Sequence, residues 1–267
     1  MKYKMIVTDL DDTLLTSNGT ISEENKQAII KAQESGIKFV LASGRPTFAM
    51  KHLAKELQLD KFGSYIITYN GAMIVDCKDF NEIFTHNLLQ DDIHSLYNFS
   101  KENGVEIITY IGDDIISETK SEYVDVEITL TKMSFKKVDS FKHSVQISAP
   151  KCIMLEEPEY LNKVQDILKK NHGDKYSIAI SKPYFLEVTK KDVDKGQTLL
   201  RLAKDLGITP EEIIAVGDSY NDVTMLQAVG LPIAVENAKE ELKSIAKFIT
   251  TSNENHGLKT VIEKYIF

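Results

Sequence analysis

The sequence predicts an α/β core, a Rossmann-like parallel sheet with helices on both faces, interrupted by an inserted α+β domain with an antiparallel sheet. Three observations carry this expectation. Short β-branched runs alternate with helical patterns through the first third, and the same alternation resumes near the end. Between them, paired strand-like runs enclose grouped helical ones. Alternation of strand and helix implies parallel strands with right-handed crossovers, hence a sheet covered on both faces. The expected division is a core of residues 1–81 and 190–267 and an insert of residues 82–189, with hinges near Asn81 and Thr189. A chain of 267 residues has room for both.

The elements follow in order. Lys4–Thr8 is a short apolar run that ends in the acid cluster Asp9-Leu10-Asp11-Asp12. Ser22 followed by Glu23 and Glu24 marks a helix start, and Gly36 closes that helix. Ile37–Ala42 is a second strand, broken by Ser43-Gly44-Arg45, and Pro46 suits the first turn of a helix reaching about Leu57. Ser64–Tyr69 and Ala72–Asp76 flank Asn70-Gly71, a hairpin signal. In the insert, helix Asp91–Asn103 precedes strands Val105–Tyr110 and Asp114–Glu118. Strand Cys152–Leu155, helix Pro158–Asn171 and the pair Tyr176–Ser181 and Phe185–Thr189 follow, while residues 119–149 are polar and weakly patterned. The last third reads as helix Gly196–Leu206, strand Ile213–Val216, helix Asn221–Val229, strand Leu231–Val235 and helix Ala238–Lys247.

Composition narrows the function classes. A hydrophobic fraction of 42% with 27% charged residues excludes a disordered or fibrous chain. With 32 basic against 40 acidic residues the formal charge is −8, and no basic patch breaks it, so nucleic acid is not an expected partner. The first apolar stretch is too short for an export signal, and no run approaches the roughly 18 apolar residues of a membrane span. The expected setting is the cytoplasm, without a membrane partner, and Cys77 and Cys152 are expected to be buried, reduced thiols. GxGxxG, GxxxxGK[ST], GxSxG and HExxH are all absent, which argues against dinucleotide, P-loop, serine-hydrolase and zinc-protease chemistry.

The chemistry-bearing residues fall where core strands end, the region in which open parallel sheets form their crevice. Asp9, Asp11 and Asp12 follow the first strand, Ser43 the second, and Asp218 and Asp222 a late one. Gathering Asp9, Asp11, Asp218 and Asp222 in one crevice is unfavourable without a cation, because charges about 4 Å apart repel by roughly 4 kcal/mol at an effective dielectric near 20. Oxygen ligands with no His or Cys among them favour Mg²⁺, which leaves positions for water and substrate phosphate. Lys195, at a helix start, could reach a phosphoryl oxygen while Ser43 donates a hydroxyl. The amides of Gly44 and Arg45, opening the next helix, are a natural anion site. Taken singly, each Asp could instead cap a helix, and Ser43-Gly44-Arg45 could be a tight turn.

Asp9-Leu10-Asp11-Asp12-Thr13, Ser43-Gly44-Arg45, Lys195-Gly196 and Gly217-Asp218-Ser219-Tyr220-Asn221-Asp222, in that order, resemble the four motifs of the haloacid dehalogenase superfamily. With the insert between the second and third, the whole chain resembles the Cof-type sugar-phosphate phosphatases. The resemblance implies a Mg²⁺-dependent phosphatase of small phosphorylated metabolites acting through an aspartyl-phosphate. Asp9 would be nucleophile and metal ligand, and Asp11 general acid and base with its main-chain carbonyl on the metal. Ser43, Gly44, Lys195 and Asn221 would hold the phosphoryl group, Asp218 would be the second carboxylate ligand, and Asp222 would support the metal from behind. Arg45, Asn70 and Gly71 are candidate substrate contacts, and the insert would be a cap that selects substrate. Many such relatives carry Gly where this chain has Asp12. A phosphotransferase or hexose-phosphate mutase uses the same scaffold. A phospho-aspartate receiver module uses similar groups, but the segment after the third strand, Thr68-Tyr69-Asn70-Gly71, offers it no acid.

Overall fold

The structure, a computed structural model, describes residues 2–267. It comprises two compact units, residues 2–84 with 194–267, and residues 85–193. The first unit opens with β1 (Met5–Thr8), α1 (Glu23–Glu34), β2 (Lys38–Ala42), α2 (Thr47–Glu56), α3 (Leu59–Phe62), β3 (Tyr65–Thr68), β4 (Met73–Asp76) and β5 (Glu82–Thr85). The second holds α4 (Gln90–Glu102), β6 (Glu106–Ile111), β7 (Asp114–Ser117), α5 (Glu122–Thr131), β8 (Ser134–Lys137), α6 (Phe141–Ser144), β9 (Lys151–Leu155), α7 (Pro158–His172), β10 (Tyr176–Lys182) and β11 (Phe185–Lys190). The chain then returns to the first unit through α8 (Lys195–Asp205), β12 (Ile213–Gly217), α9 (Val223–Gln227), β13 (Leu231–Val235), α10 (Glu240–Ile245), β14 (Phe248–Thr250) and α11 (Gly257–Tyr265).

The first unit is built on an eight-stranded sheet of order β14-β13-β12-β1-β2-β3-β4-β5. From β14 to β3 every pairing is parallel, and β4 turns back antiparallel on β3. Every residue of β1, β12 and β13 is buried, the mark of strands covered on both faces rather than one. These runs carry consecutive apolar residues, not an alternating pattern, for the same reason. Helix α1 lies against α11, and α8 against α9.

The second unit has a six-stranded sheet of order β10-β11-β9-β6-β7-β8, antiparallel except for the β7–β8 pair. One face packs on helices: Leu96, Phe99, Leu161, Val164 and Leu168 meet Ile107, Met154, Leu186 and Val188. Alternate strand positions supply that core, as a pleated sheet requires. The fold class expected from the sequence, a parallel-sheet α/β core with a second, largely antiparallel module, is the one observed.

Local differences have physical reasons. Residues 119–149 contain α5, β8 and α6, which left little pattern because β8 is an exposed edge strand of sequence Ser-Phe-Lys-Lys and α6 is a single turn. Asn70-Gly71 is not a two-residue hairpin turn. Tyr69–Gly71 form one 3-10 turn with three successive left-handed residues, at φ 53, 57 and 105. The helix expected over Asn221–Val229 starts later, because Tyr220–Asp222 form a separate 3-10 turn ahead of α9. The helix expected over Ala238–Lys247 is reduced to α10, and a further strand, β14, and helix, α11, follow it. Among the described residues no helix is long and apolar enough to cross a membrane.

Two backbone approaches fix α8, which carries Lys195. Asp194 caps its N-terminus, accepting from the Gln197 amide at 2.9 Å, and a Cβ on Gly71 would lie 2.3 Å from the Asp194 carbonyl oxygen. A Cβ on Gly196 would lie 2.3 Å from the Thr224 carbonyl oxygen at the start of α9. Neither partner is a side chain that could swing away. Gly196→Ala should therefore lower stability by about 1–3 kcal/mol, the usual cost of overpacking, read as the denaturant midpoint; an unchanged midpoint would contradict this packing.

Candidate active site

Four loops at the carboxyl ends of adjacent parallel strands converge. Asp9 directly follows β1, Ser43 follows β2, Asn70 lies just beyond β3, and Asp218 directly follows β12. The ladder continues into the site, because the Asp9 amide donates to the Val216 carbonyl at 3.0 Å. Lys195, the first residue of α8, enters from the return connection.

Lys195 is fully buried, and its ammonium donates to Asp9 Oδ1 and, at 2.7 Å, to Asp222 Oδ1. Burial of an ammonium costs several kcal/mol. Each charge pair near 3 Å returns about 5 kcal/mol at an effective dielectric near 20, which favours the charged form of Lys195 when both acids face it. Burial acts to lower the Lys195 pKa, but Asp222 and Asp9 more than reverse it, and the group is held above its usual range. The second oxygen of Asp222 accepts from the amides of Asp218 at 3.0 Å and Ser219 at 3.1 Å. Both oxygens of Asp222 thus accept protein donors.

Carboxylate oxygens of Asp9, Asp218 and Asp222 lie within 4.8 Å of one another, and all three residues are buried. Burial pushes the Asp9 carboxyl well up, with Asp222 and Asp218 adding to it, against the pull of Lys195. Asp218 is pushed up to about 6, mainly by burial, with Asp222 and Asp12 adding to it and the Thr13 hydroxyl opposing. Thr13 Oγ1 donates to Asp218 Oδ1 at 2.7 Å. One oxygen of Asp9 and one of Asp218 accept no hydrogen bond from the described residues. When all three acids are ionised, the single ammonium leaves the cluster two negative charges in excess, carried on oxygen donors alone. That donor set fits a hard divalent cation such as Mg²⁺.

Of the four acids expected at the strand ends, three bring their carboxylates together. Asp11 does not join Asp9, Asp218 and Asp222. Its carboxylate is drawn off by Arg45, whose Nε donates to Oδ2 at 3.0 Å and Nη2 to Oδ1 at 2.6 Å. Ser43 is buried, and its hydroxyl accepts the Arg45 amide at 3.2 Å, so that amide is not free for an anion as the sequence suggested. Asn70 joins two motifs: its amide donates to the Ser43 carbonyl and its side chain abuts Gly44, while its Oδ1 accepts Asn221 Nδ2 at 3.1 Å. A Cβ on Gly44 would stand 3.0 Å from Asn70 Nδ2. Gly71 supplies its carbonyl to Thr198 Oγ1 at 2.7 Å.

Sequence reading missed the residues that hold the β1 loop. Asp12 has left-handed backbone, φ 57, a conformation that glycine adopts most readily. Asn237 Nδ2 donates to the Asp12 carbonyl at 2.7 Å, Asn237 Oδ1 accepts the Asn253 amide at 3.1 Å, and Asn253 Nδ2 donates to the Leu15 carbonyl at 2.9 Å. Lone asparagines more than 200 residues from their partners leave no local signal. Thr13, inside the first motif, did carry one.

Comparison with known proteins identifies similar chains. The family described as haloacid dehalogenase-like hydrolase matches residues 6–262. The Bacillus subtilis protein YxeH is 32% identical over 268 residues, covering 99% of this chain and 98% of its own. The 5-amino-6-(5-phospho-D-ribitylamino)uracil phosphatase YcsE of Bacillus subtilis is 28% identical, over 98% of this chain and 96% of its own. The crystal structure of a haloacid dehalogenase-like hydrolase from Bacteroides thetaiotaomicron superposes with a TM-score of 0.94 at 36% identity, covering 100% of both chains.

The raised Asp218 pKa has a consequence for the protein stripped of divalent ions. An unfolded Asp titrates near 3.9 and the folded one at about 6, so between those values the folded state holds the extra proton. Stability contributed by this group is full below about 4 and is lost as pH rises through about 6. Asp218→Asn keeps an acceptor for Thr13 without the charge and removes that loss. In EDTA the variant should gain on wild type through this window and be the more stable protein at neutral pH, as read by denaturant titration. A stability difference that does not change with pH would contradict the assignment.

Proposed function

The chain belongs to the haloacid dehalogenase-like hydrolases and is a phosphatase of that family; from this premise we propose that it hydrolyses small phosphorylated metabolites, sugar phosphates foremost, with Mg²⁺ and through an aspartyl-phosphate on Asp9. The observation that carries the reading is the pairing of Lys195 with Asp9 and Asp222, which leaves one unengaged oxygen on each of Asp9 and Asp218. Asp9, Asp218 and the main-chain carbonyl of Asp11 would hold Mg²⁺, which when bound neutralises negative charge on the phosphoryl oxygens and the two carboxylates. Both oxygens of Asp222 are already engaged by protein donors, so its part is to fix Lys195 and the Asp218 amide.

The chain's own groups divide the chemistry. Lys195 spends two of its three N–H donors on acids, and the third is available to a phosphoryl oxygen. Ser43, the Gly44 amide and Asn221, with Asn70 behind it, complete the seat. The Asp9 carboxylate attacks phosphorus, the ester P–O bond breaks with its electron pair going to the leaving oxygen, and Asp11 gives that oxygen its proton. Asp11 then takes a proton from water as the water oxygen attacks phosphorus, releasing phosphate and restoring Asp9. Splitting a very slow hydrolysis into two positioned displacements is what covalent catalysis offers.

Substrate selection we assign to the inserted unit, residues 85–193, which has its own core. The similarity to YcsE, named for a phosphorylated ribityl compound, supports a hydroxylated leaving group. A cytoplasmic setting is in keeping with Cys77 and Cys152, both unpaired and buried. Asp9→Asn should reduce release of inorganic phosphate from a panel of sugar phosphates to background. EDTA should do the same to wild type, with recovery on adding Mg²⁺. Phosphate release by Asp9→Asn at the wild-type rate would remove the nucleophile.

A further inference from the structure

We propose that Asn237, in the loop after β13, is a positioning residue for the cation site, fixing the spacing of the two loops that supply its oxygens and so favouring the small ion Mg²⁺ over Ca²⁺. This rests on the reading of Asp9, Asp218 and the Asp11 carbonyl as the ion's ligands given above. The loop after β13 contributes none of those ligands, yet it reaches both loops that do. Asn237 Nδ2 donates to the Asp12 carbonyl at 2.7 Å, and the Lys239 amide, two residues on, donates to the Asp218 carbonyl at 2.9 Å. Thr13 Oγ1 closes the link from the other side, donating to Asp218 Oδ1 at 2.7 Å. The loop after β1 is thereby tied to the loop after β12 twice, once directly and once through residues 237–239.

The Asp12 carbonyl is the neighbour that governs the Asp11 carbonyl. The two are joined through the Asp12 Cα, whose left-handed φ of 57 is a conformation that a non-glycine residue keeps only when its surroundings hold it. Anchoring the Asp12 carbonyl fixes that turn of backbone, and with it the direction of the Asp11 carbonyl. Asn237 is itself held. Its Oδ1 accepts the Asn253 amide at 3.1 Å, and the buried Asn253 donates through Nδ2 to the Leu15 carbonyl at 2.9 Å. Both ends of the Asn237 amide group are therefore engaged. Asn237 is exposed, so water could replace its bond to Asp12 at little cost to folding, and stability does not account for the brace. A rigid set of oxygens discriminates between ions by size. Mg²⁺ takes oxygens at about 2.0–2.1 Å in a near-octahedral array, whereas Ca²⁺ accepts a looser cage at about 2.3–2.6 Å.

Ion affinity measured without turnover tests this. Mg²⁺ and Ca²⁺ are titrated calorimetrically into metal-free wild type, Asn237→Ala and Asn237→Asp, with no substrate present. Removing a group that orients a metal ligand costs about 10–100-fold in affinity, so Asn237→Ala should bind Mg²⁺ about tenfold or more weakly. Ca²⁺, which tolerates a looser cage, should change by no more than about threefold, and the preference for Mg²⁺ should fall accordingly. Asn237→Asp keeps the shape and the acceptor for the Asn253 amide but has no donor for the Asp12 carbonyl. Its added charge acts on both divalent ions alike, so the ratio of the two affinities should fall as it does in Asn237→Ala, which guards against a defect from lost volume. In Asn237→Ala, Mg²⁺ affinity within about threefold of wild type, equal weakening of both ions, or loss of Mg²⁺ without retained Ca²⁺ binding would overturn the proposal. So would an unchanged ratio in Asn237→Asp. A wild type that binds no Mg²⁺ would instead remove the cation reading, and this inference with it.

Discussion

One buried ammonium organises the site. Lys195 has no access to solvent, so its charge is tolerable only while Asp9 and Asp222 both face it. That requirement ties the end of the first strand to the loop after β12, through a helix that begins at the chain's return from the inserted unit. Asp222 passes the constraint on, because its other oxygen takes the amides of Asp218 and Ser219 and so aims the Asp218 carboxylate. Three motifs spread over more than 200 residues become one rigid constellation. The alternative arrangement, in which one acid leaves, strands a buried charge at a cost of about 3–5 kcal/mol.

The same clamp creates the site's reactivity. It neutralises one of three negative charges and leaves two, on carboxylates too crowded and too dry to carry them comfortably, which is why Asp9 and Asp218 are both held above the ordinary carboxylate range. Such a cluster is stable when a proton or a divalent cation occupies it. Small residues permit the crowding: a Cβ on Gly217 would approach Asp222 Cγ to 2.8 Å, so the turn after β12 has to be bare for Asp222 to fold back over it. Asp11, by contrast, pairs with the Arg45 fork, so two carboxylates of one loop stand in different environments.

What could be read from the sequence follows from range. The central strands are consecutive apolar runs ending in Asp9, Ser43 and Asp218, so their position and the gathering of their successors were legible from pattern and motif. The pairing of Asp11 with Arg45 was not, because nothing around either residue points to a partner 34 residues away. Asn237 and Asn253 brace the first loop through main-chain carbonyls, and nothing in the sequence around an asparagine indicates which distant carbonyl it will meet. In the inserted unit, β8 and α6 are short and largely solvated, so neither period had enough residues to emerge. The apolar pattern carries the strand through Tyr69, whereas this residue takes a left-handed conformation that delivers Asn70 to Ser43 and Asn221.

The central claim is that the excess charge on Asp9 and Asp218 exists to be met by a divalent ion. Calorimetric titration of Mg²⁺ into the metal-free protein, repeated in buffers of different ionisation enthalpy, reads both affinity and protons released. With Asp218 titrating at about 6, binding should expel protons below that pH and progressively fewer above it, because the ligand must be ionised to bind. Asp218→Asn should lose both the binding heat and the proton release. Mg²⁺ binding that persists unweakened in that variant would contradict the account.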